Sequence, residues 1–314
     1  MKSWLHEGVA RRGIRVNSPV VVKREASGAV GSVPASSPAF GGSRDFLDNR
    51  LVYAVISARA RGLSVGVNMN PDQRCNFDCA YCEVDRTGPA RKAALNVPVM
   101  LAELERTLAL VQSGELHARP RYQRVPPALL ELRHVTLSGD GEPTLCPNFV
   151  EAVEAVVHLR ACRRFAFFKL VLITNAAGLD RPEVATALEL LTPCDEVWAK
   201  LDAGTQDYMD RVNRPDCPLD KIQANILALA RQRPVIIQSL FPVIHGQGPS
   251  VPEIEAYVQR LCELKAAGAQ IPLVQIYSAT RPPAHPECGH LPLRTLSDIA
   301  QRVREGSGLR AEVF

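Results

Sequence analysis

Short apolar runs alternate with longer amphipathic stretches over most of the chain. The apolar runs have the length of β-strands; they are Val65–Asn70, Leu132–Ser138, Lys169–Thr174, Glu196–Asp202, Pro234–Phe241 and Pro272–Ser278. Most are continuously apolar, as strands covered on both faces are. The stretches between them repeat apolar residues every three or four positions, which predicts helices. The first helix shows the repeat at Val97, Leu101, Leu104, Leu108 and Val111.

Six strand–helix repeats predict an α/β fold with parallel strands, arranged as a partial, TIM-like (β/α)6 barrel. A last apolar run, Leu309–Phe314, is expected to close one edge of the sheet. In such folds the carboxyl ends of the strands form the functional rim. We expect the compact domain to span residues 64–314.

The N-terminal part of the chain has a different composition. Residues 26–43 are almost entirely Gly, Ser, Ala, Val and Pro, which is too poor in large apolar groups to offset chain entropy, so we expect residues 1–43 to be disordered. Residues 44–63 mix arginines with apolar residues and are expected to be a lead-in that packs on the domain.

Charge and cysteine content narrow the functional classes. The 314 residues carry 37 Lys+Arg and 33 Asp+Glu, and a net charge of +4 is well short of that of a dedicated nucleic-acid binder, so we do not expect DNA as a partner. No stretch has the pattern of a secretory signal or the length of a membrane span. Nine cysteines without an export signal favour a reducing compartment, so we expect a cytoplasmic protein.

Three cysteines follow the first predicted strand in a C-x3-C-x2-C spacing. They are Cys75, Cys79 and Cys82. Thiolates suit iron–sulfur clusters and zinc, and a [4Fe–4S] cluster normally takes four cysteines, so three would leave one iron open for a small chelating molecule. The alternatives are a zinc site completed from elsewhere, with His285, Cys288 and His290 as remote donors, or cysteines that are merely buried.

This loop, with the aromatic Tyr81 directly before the third cysteine, resembles the cluster loop of the radical S-adenosylmethionine (radical SAM) superfamily. Four segments resemble, more narrowly, a branch of iron–sulfur oxidoreductases related to the wybutosine-synthesis radical enzymes that modify tRNA. They are residues 66–83, 137–145, 197–204 and 275–283.

The resemblance implies that the three cysteines hold a [4Fe–4S] cluster and that S-adenosylmethionine chelates its fourth iron. It also implies reductive cleavage to a 5′-deoxyadenosyl radical, which abstracts hydrogen from a substrate. An electron donor of the flavodoxin or ferredoxin type is the expected partner.

The resemblance also assigns residues to S-adenosylmethionine. The segment Gly139-Asp140-Gly141-Glu142 resembles the Gly-Gly-Glu segment that receives the methionine ammonium, although Asp140 separates the glycines. The other expected contacts are Thr174, Asn175, Lys200, Asp202 and Tyr81. Each has a structural alternative, namely a Gly-rich turn, a helix cap, a buried ion pair, and a ring that packs under the loop.

Three hypotheses remain for the function. The first is a radical enzyme acting on RNA or a nucleotide, motivated by the kinship and by basic loop residues that we expect near the rim. They are Arg86, Arg91, Lys92, Arg119, Arg121 and Arg124. The second is a radical enzyme for a small metabolite or a peptide, and the third is a non-catalytic zinc or iron–sulfur module. The sequence does not identify a catalytic acid, base or hydrogen donor.

Overall fold

Eight strands form one sheet that curls into a half-barrel in this computed structural model, which describes residues 46–86, 94–279 and 283–314. Their order is β1-β2-β3-β4-β5-β6-β8-β10. They are β1 (Val52–Ser57), β2 (Gly62–Asn68), β3 (Leu132–Ser138), β4 (Lys169–Thr174), β5 (Glu196–Lys200), β6 (Val235–Leu240), β8 (Val274–Tyr277) and β10 (Ala311–Val313). The short strands β7 (Val243–Ile244) and β9 (Cys288–Gly289) pair separately.

Seven described helices pack around the sheet. They are α1 (Val97–Gln112), α2 (Phe149–Ala161), α3 (Pro182–Glu189), α4 (Gln206–Val212), α5 (Leu219–Gln232), α6 (Val251–Ala266) and α7 (Leu293–Ser307). None of these described helices is long and apolar enough to cross a membrane. Within the eight-stranded sheet, all strands except β1 run parallel, so the predicted α/β fold with a partial TIM-like barrel is confirmed.

One strand of the eight-stranded sheet was missed. Residues Val52–Ser57 lie in the predicted lead-in, yet they pair antiparallel with β2 as an edge strand of the same sheet. Tyr53 crosses the inner face of β2 at Gly66, where an added Cβ would lie 2.2 Å from the tyrosine ring. The Tyr53 hydroxyl lies 2.9 Å from Ser138 Oγ on β3. The division at residue 64 stays a prediction, and the segment 1–43 lies outside the described residues.

The two faces of the sheet differ in polarity. Val65, Val135, Leu170 and Val197 point outward into the main apolar core under the helices. Their neighbours along each strand point the opposite way, into a space that we call the lumen. Its lining side chains include Ser64, His134, Thr136, Lys169, Val171, Glu196, Trp198, Lys200, Gln238, Gln275 and Tyr277. The expectation of apolar strands on both faces is therefore wrong for the lumen side, because that side carries several polar groups.

A buried carboxylate on α1 fixes the residues that lead into β1. Glu103 accepts hydrogen bonds from the backbone N–H groups of Arg50, Leu51 and Val52 at 3.0, 2.8 and 3.0 Å. These donors belong to the turn before β1 and to its first residue. The carboxylate therefore ties the edge strand to the helix layer.

We predict that Glu103→Gln lowers the free energy of unfolding by about 2 kcal/mol, because an amide offers one acceptor oxygen where the carboxylate offers two. Urea unfolding followed by circular dichroism measures this. Glu105→Gln is the matched control, because Glu105 lies on the same helix in a surface ion pair with Arg164 and should change stability by less than about 0.5 kcal/mol. Equal stabilities of the two variants would contradict the anchoring role of Glu103.

Candidate metal centre and cofactor site

The three predicted cluster ligands lie on the loop that leaves the carboxyl end of β2. Cys75, Cys79 and Cys82 are free, half-buried thiols on this cysteine loop, defined as residues 69–86. The loop is held against the end of α4 by backbone hydrogen bonds, including Ala80 N to Val212 O at 2.8 Å. The fold thus presents all three sulfurs at the rim.

Each of these sulfurs accepts a hydrogen bond from a nitrogen donor. Phe77 N lies 3.4 Å from Cys75 Sγ, Asn213 Nδ2 lies 3.5 Å from Cys79 Sγ, and Arg86 Nη1 lies 3.0 Å from Cys82 Sγ. Hydrogen bonds to cysteine sulfur are one means by which proteins tune iron–sulfur clusters. The donor set fits thiolate ligands, and Arg86 and Asn213 belong to this site although the sequence did not assign them to it.

Burial keeps the thiols of Cys75 and Cys79 protonated in the protein without metal. It raises the pKa of Cys75 to about 11 and the pKa of Cys79 to about 12. A metal must displace those protons, so ligand binding by these residues releases protons. Among the described residues, no three His, Cys, Asp or Glu side chains converge on a single point that could hold one metal ion. A [4Fe–4S] cluster needs no such point, because each cysteine binds a different iron.

The three remote donors considered for a zinc site are engaged elsewhere. His285 Nε2 lies 3.4 Å from Asp78 Oδ1, and His290 Nδ1 lies 3.1 Å from the carbonyl oxygen of Ala279. Cys288 is buried in β9. Of the three, His285 contacts the cysteine loop, and its partner there is the Asp78 carboxylate rather than a cysteine sulfur.

The loop after β3 touches the cysteine loop directly. An added Cβ at Gly141 would lie 1.8 Å from the carbonyl oxygen of Arg74, so glycine is required there. The same carbonyl accepts a hydrogen bond from Glu142 N at 3.0 Å. Arg86 adds a third link, because its Nη2 donates to the Asp140 carbonyl oxygen at 2.7 Å. The predicted glycine-rich segment therefore lies beside the cysteines.

Glu142 accepts hydrogen bonds from several protein donors. Its carboxylate accepts from Thr174 Oγ1 at 2.5 Å, from Asn175 N at 2.7 Å and from Thr144 Oγ1 at 2.8 Å. Burial raises the pKa of Glu142, while these hydrogen bonds oppose the rise. The structure thus brings the predicted residues Glu142, Thr174 and Asn175 together. Asp140 differs, since it lies at the surface of this cluster and accepts from Asn68 Nδ2 at 2.8 Å.

Lys200, Asp202 and Tyr81 form one buried network. Asp202 accepts hydrogen bonds from the Tyr81 hydroxyl, from Asn213 Nδ2 at 2.8 Å and from Leu240 N at 2.8 Å. Lys200 Nζ lies 3.0 Å from the other side of the same carboxylate. Burial lowers the pKa of Lys200, but Asp202, Tyr277 and Cys79 together outweigh that effect, so the pKa is raised.

Lys200 and Asp202 thus form a buried ion pair, which was the structural alternative to contacts with S-adenosylmethionine. Tyr81 directs its hydroxyl to Asp202, with its ring 4.8 Å from Lys200 Nζ. The contacts of Tyr81, Lys200 and Asp202 with a nucleoside therefore stay predictions.

A model of the radical SAM superfamily matches residues 69–258, which is more than half of the chain and includes the cysteine loop and the glycine-rich segment. The chain belongs to the radical SAM superfamily. Proteins of this superfamily bind a [4Fe–4S] cluster and S-adenosylmethionine, so the cofactor prediction is confirmed at the level of the family. The assignment of individual residues to either cofactor stays a prediction.

The curated relatives are only partly matched. A UPF0026 protein of Synechocystis is 29% identical over 169 residues, which cover 52% of this chain and 52% of that protein. A UPF0026 protein of Methanocaldococcus jannaschii is 28% identical over 181 residues, which cover 57% and 49%. The chain therefore spans about half the length of the curated relatives it matches.

A solved structure shows the same fold. Streptococcus suis SuiB, crystallised with S-adenosylmethionine, superposes with a TM-score of 0.55 at 13% identity. The match covers 81% of this chain and 51% of SuiB. At this identity the likeness supports the barrel architecture of the radical SAM chain.

His134 is a buried histidine on the lumen side of this radical SAM barrel. Its ring packs edge-on against Trp198, with the ring centroids 5.4 Å apart. Burial, followed by the charges of Lys169 and Arg59, lowers the pKa of His134 to about 3. The side chain is therefore neutral at every pH near neutrality.

We predict that His134 makes folding acid-sensitive. Between pH 6.5 and about 3 the unfolded state binds a proton on this residue and the native state does not, so stability falls as the pH falls. From pH 7 to pH 5 the loss is about 2 kcal/mol. In His134→Gln that loss should disappear from urea unfolding measured at both pH values. His117→Gln changes an exposed histidine and should retain the wild-type pH dependence. An unchanged pH dependence in His134→Gln would contradict the prediction.

Proposed function

We propose that this chain is a radical SAM enzyme of the oxidoreductase type, which cleaves S-adenosylmethionine reductively and abstracts hydrogen from a substrate held in the lumen. The observation that carries the proposal is the set of three rim cysteines whose sulfurs each accept an N–H donor. A cluster bound there would supply the electron that breaks the C–S bond. An electron donor of the flavodoxin or ferredoxin type would reduce it.

The described residues have defined tasks in this proposal. Cys75, Cys79 and Cys82 would bind iron, and Arg86 would hold the third ligand against the loop after β3. Gly139 and Gly141 allow that loop to approach, and the backbone around Asp140 would meet the methionine ammonium. Glu142 would act by orienting Thr174 and Asn175, because its oxygens already accept from them.

The structure weakens the charge argument for RNA. Arg119, Arg121 and Arg124 lie between α1 and β3, in the segment that enters the amino end of β3, so they are remote from the rim. Arg86 is occupied by Cys82 and Asp140. Arg91 and Lys92 lie outside the described residues. The polar lumen instead favours the second hypothesis, a small metabolite.

We predict that Cys79→Ser abolishes cluster binding and S-adenosylmethionine cleavage. After anaerobic reconstitution the wild type should hold about four irons per chain and release 5′-deoxyadenosine with dithionite. Cys262→Ser is the control, because Cys262 lies on α6 away from the rim and its loss should change neither property. A Cys79→Ser variant with wild-type absorbance and deoxyadenosine release, or a wild type that fills with zinc and is inert, would overturn the proposal.

We also predict that Arg86 raises the reduction potential of the cluster. A cationic donor to a ligand sulfur favours the more negative, reduced state. Arg86→Met should therefore shift the midpoint to more negative values by on the order of 50 mV, equivalent to roughly 1 kcal/mol for one electron, and Arg86→Lys should shift it less.

An anaerobic redox titration followed by electron paramagnetic resonance measures the midpoint, with iron content determined on each sample. Arg74→Met is the matched control, because Arg74 is an exposed neighbour whose backbone carbonyl makes the contact with the loop after β3. A midpoint in Arg86→Met equal to that of Arg74→Met would contradict the tuning role.

A further inference from the structure

The lumen contains carboxylates that are already paired. On β5, Glu196 accepts from Lys169 Nζ at 2.6 Å and from the Trp198 indole at 2.8 Å. Asp202, just after β5, is paired with Lys200 at 3.0 Å. Each of these two carboxylates therefore has its own lysine, and together the two pairs are neutral.

Arg59 is a further cation beside these two neutral ion pairs. It lies in the turn between β1 and β2, and its guanidinium carbon stacks 4.1 Å from the ring centroid of Tyr277. Its Nε is buried without a hydrogen-bond acceptor among the described residues. In the same described part of the chain, no carboxylate lies within ion-pair distance of Arg59. Among the described residues, Arg59 is therefore a cation without an ion-pair partner.

A second arginine of the same turn does have an ion-pair partner, so the lack of one is specific to Arg59. Arg61, two residues later, donates to Glu312 on β10 at 2.7 Å and is mostly exposed. One arginine of the turn ties the hairpin to the far edge of the sheet, while the other faces inward. Substitutions of Arg59 and Arg61 can therefore separate a ligand-binding role from a structural role.

A partly buried guanidinium without an acceptor is costly, because it loses water and gains no partner. Its planar fork matches the two oxygens of a carboxylate or a phosphate, and stacking on an aromatic ring leaves the donor edge free. Tyr277 also accepts from Lys200 Nζ at 3.0 Å. The contacts Arg59–Tyr277–Lys200–Asp202–Tyr81 form a continuous line that ends at Tyr81, the residue directly before Cys82.

We propose that Arg59 binds the carboxylate or phosphate group of a small substrate in the lumen. This assignment rests on the proposed function, because it supplies the substrate class for the same barrel. A molecule anchored there extends along the line of contacts toward the cysteine loop, where hydrogen abstraction would occur. The carboxylate or phosphate bound by Arg59 would fix the position of the substrate in the lumen.

Isothermal titration of the full reconstituted chain tests the site. Saturating S-adenosylmethionine is present, so that its own carboxylate site is filled, and reductant is absent. Inorganic phosphate and acetate are the separate probes, each against chloride at matched ionic strength. One saturable site is expected for at least one probe, and whichever anion binds identifies the substrate as a phosphate ester or a carboxylate.

Variants decide whether Arg59 is the ligand. Arg59→Gln should raise the Kd by about tenfold or more, the value of one charge-assisted contact, and Arg59→Lys should raise it less. Arg61→Gln should leave the Kd within about twofold of wild type. Circular dichroism and iron content verify that each variant is folded and loaded.

Three results would overturn the inference: no saturable anion in the wild type, an unchanged Kd in Arg59→Gln, or displacement of the bound anion by bulk tRNA. The first two remove the site, and the third assigns it to RNA. Because the titration contains no reductant, its failure is distinct from that of the proposed function. A chain that cleaves S-adenosylmethionine but binds neither anion retains the function and loses this substrate class.

Discussion

The contact between two rim loops is the constraint on which the site depends. Gly141 lies so close to the Arg74 carbonyl that no side chain fits between them. This contact fixes the cysteine loop, which has little regular structure of its own, to the carboxyl end of β3. Arg86 repeats the connection by bonding both a cysteine sulfur and the Asp140 carbonyl. A displacement of either loop would therefore move the sulfurs and the glycine-rich segment together.

Behind the rim, buried carboxylates organise the polar groups. Glu142 gathers donors from β4 and from its own loop, and Asp202 gathers donors from β5, β6, α4 and the cysteine loop. Each of these carboxylates accepts hydrogen bonds from several donors, so those donors point toward a protein oxygen rather than toward water. The site is consequently pre-organised by protein–protein hydrogen bonds, and the groups left for ligands are few.

Part of this arrangement could be predicted from the sequence because it is local. The cysteine spacing occupies eight residues, and the strands β3 and β4 coincide with the apolar runs that predicted them. The glycine-rich segment lies beside the cysteines because the carboxyl ends of neighbouring parallel strands meet at one edge. Local pattern and strand order together determine these features.

Contacts between distant residues could not be predicted in the same way. Asn213 reaches Cys79 across 134 positions, and Arg59 stacks on Tyr277 across the open edge of the barrel. The sequence around each residue has no pattern that marks such a partner. Strand β1 was missed for a related reason, since its arginine-rich surroundings indicated a surface lead-in, whereas its pairing with β2 buries alternate residues.

The unpaired charge of Arg59 connects these two parts of the structure. A barrel built only for stability would pair Arg59 as it pairs Lys169, Lys200 and Arg61, whose carboxylate partners are Glu196 on β5, Asp202 just after β5 and Glu312 on β10. Leaving one cation unpaired costs stability, and that cost is offset when an anion binds. Because Tyr277 contacts both Arg59 and Lys200, and Lys200 is held by the carboxylate that also holds Tyr81, an anion on Arg59 changes the electrostatics of the residues beside the cysteines. Substrate binding and cofactor binding in this lumen are therefore expected to be energetically coupled.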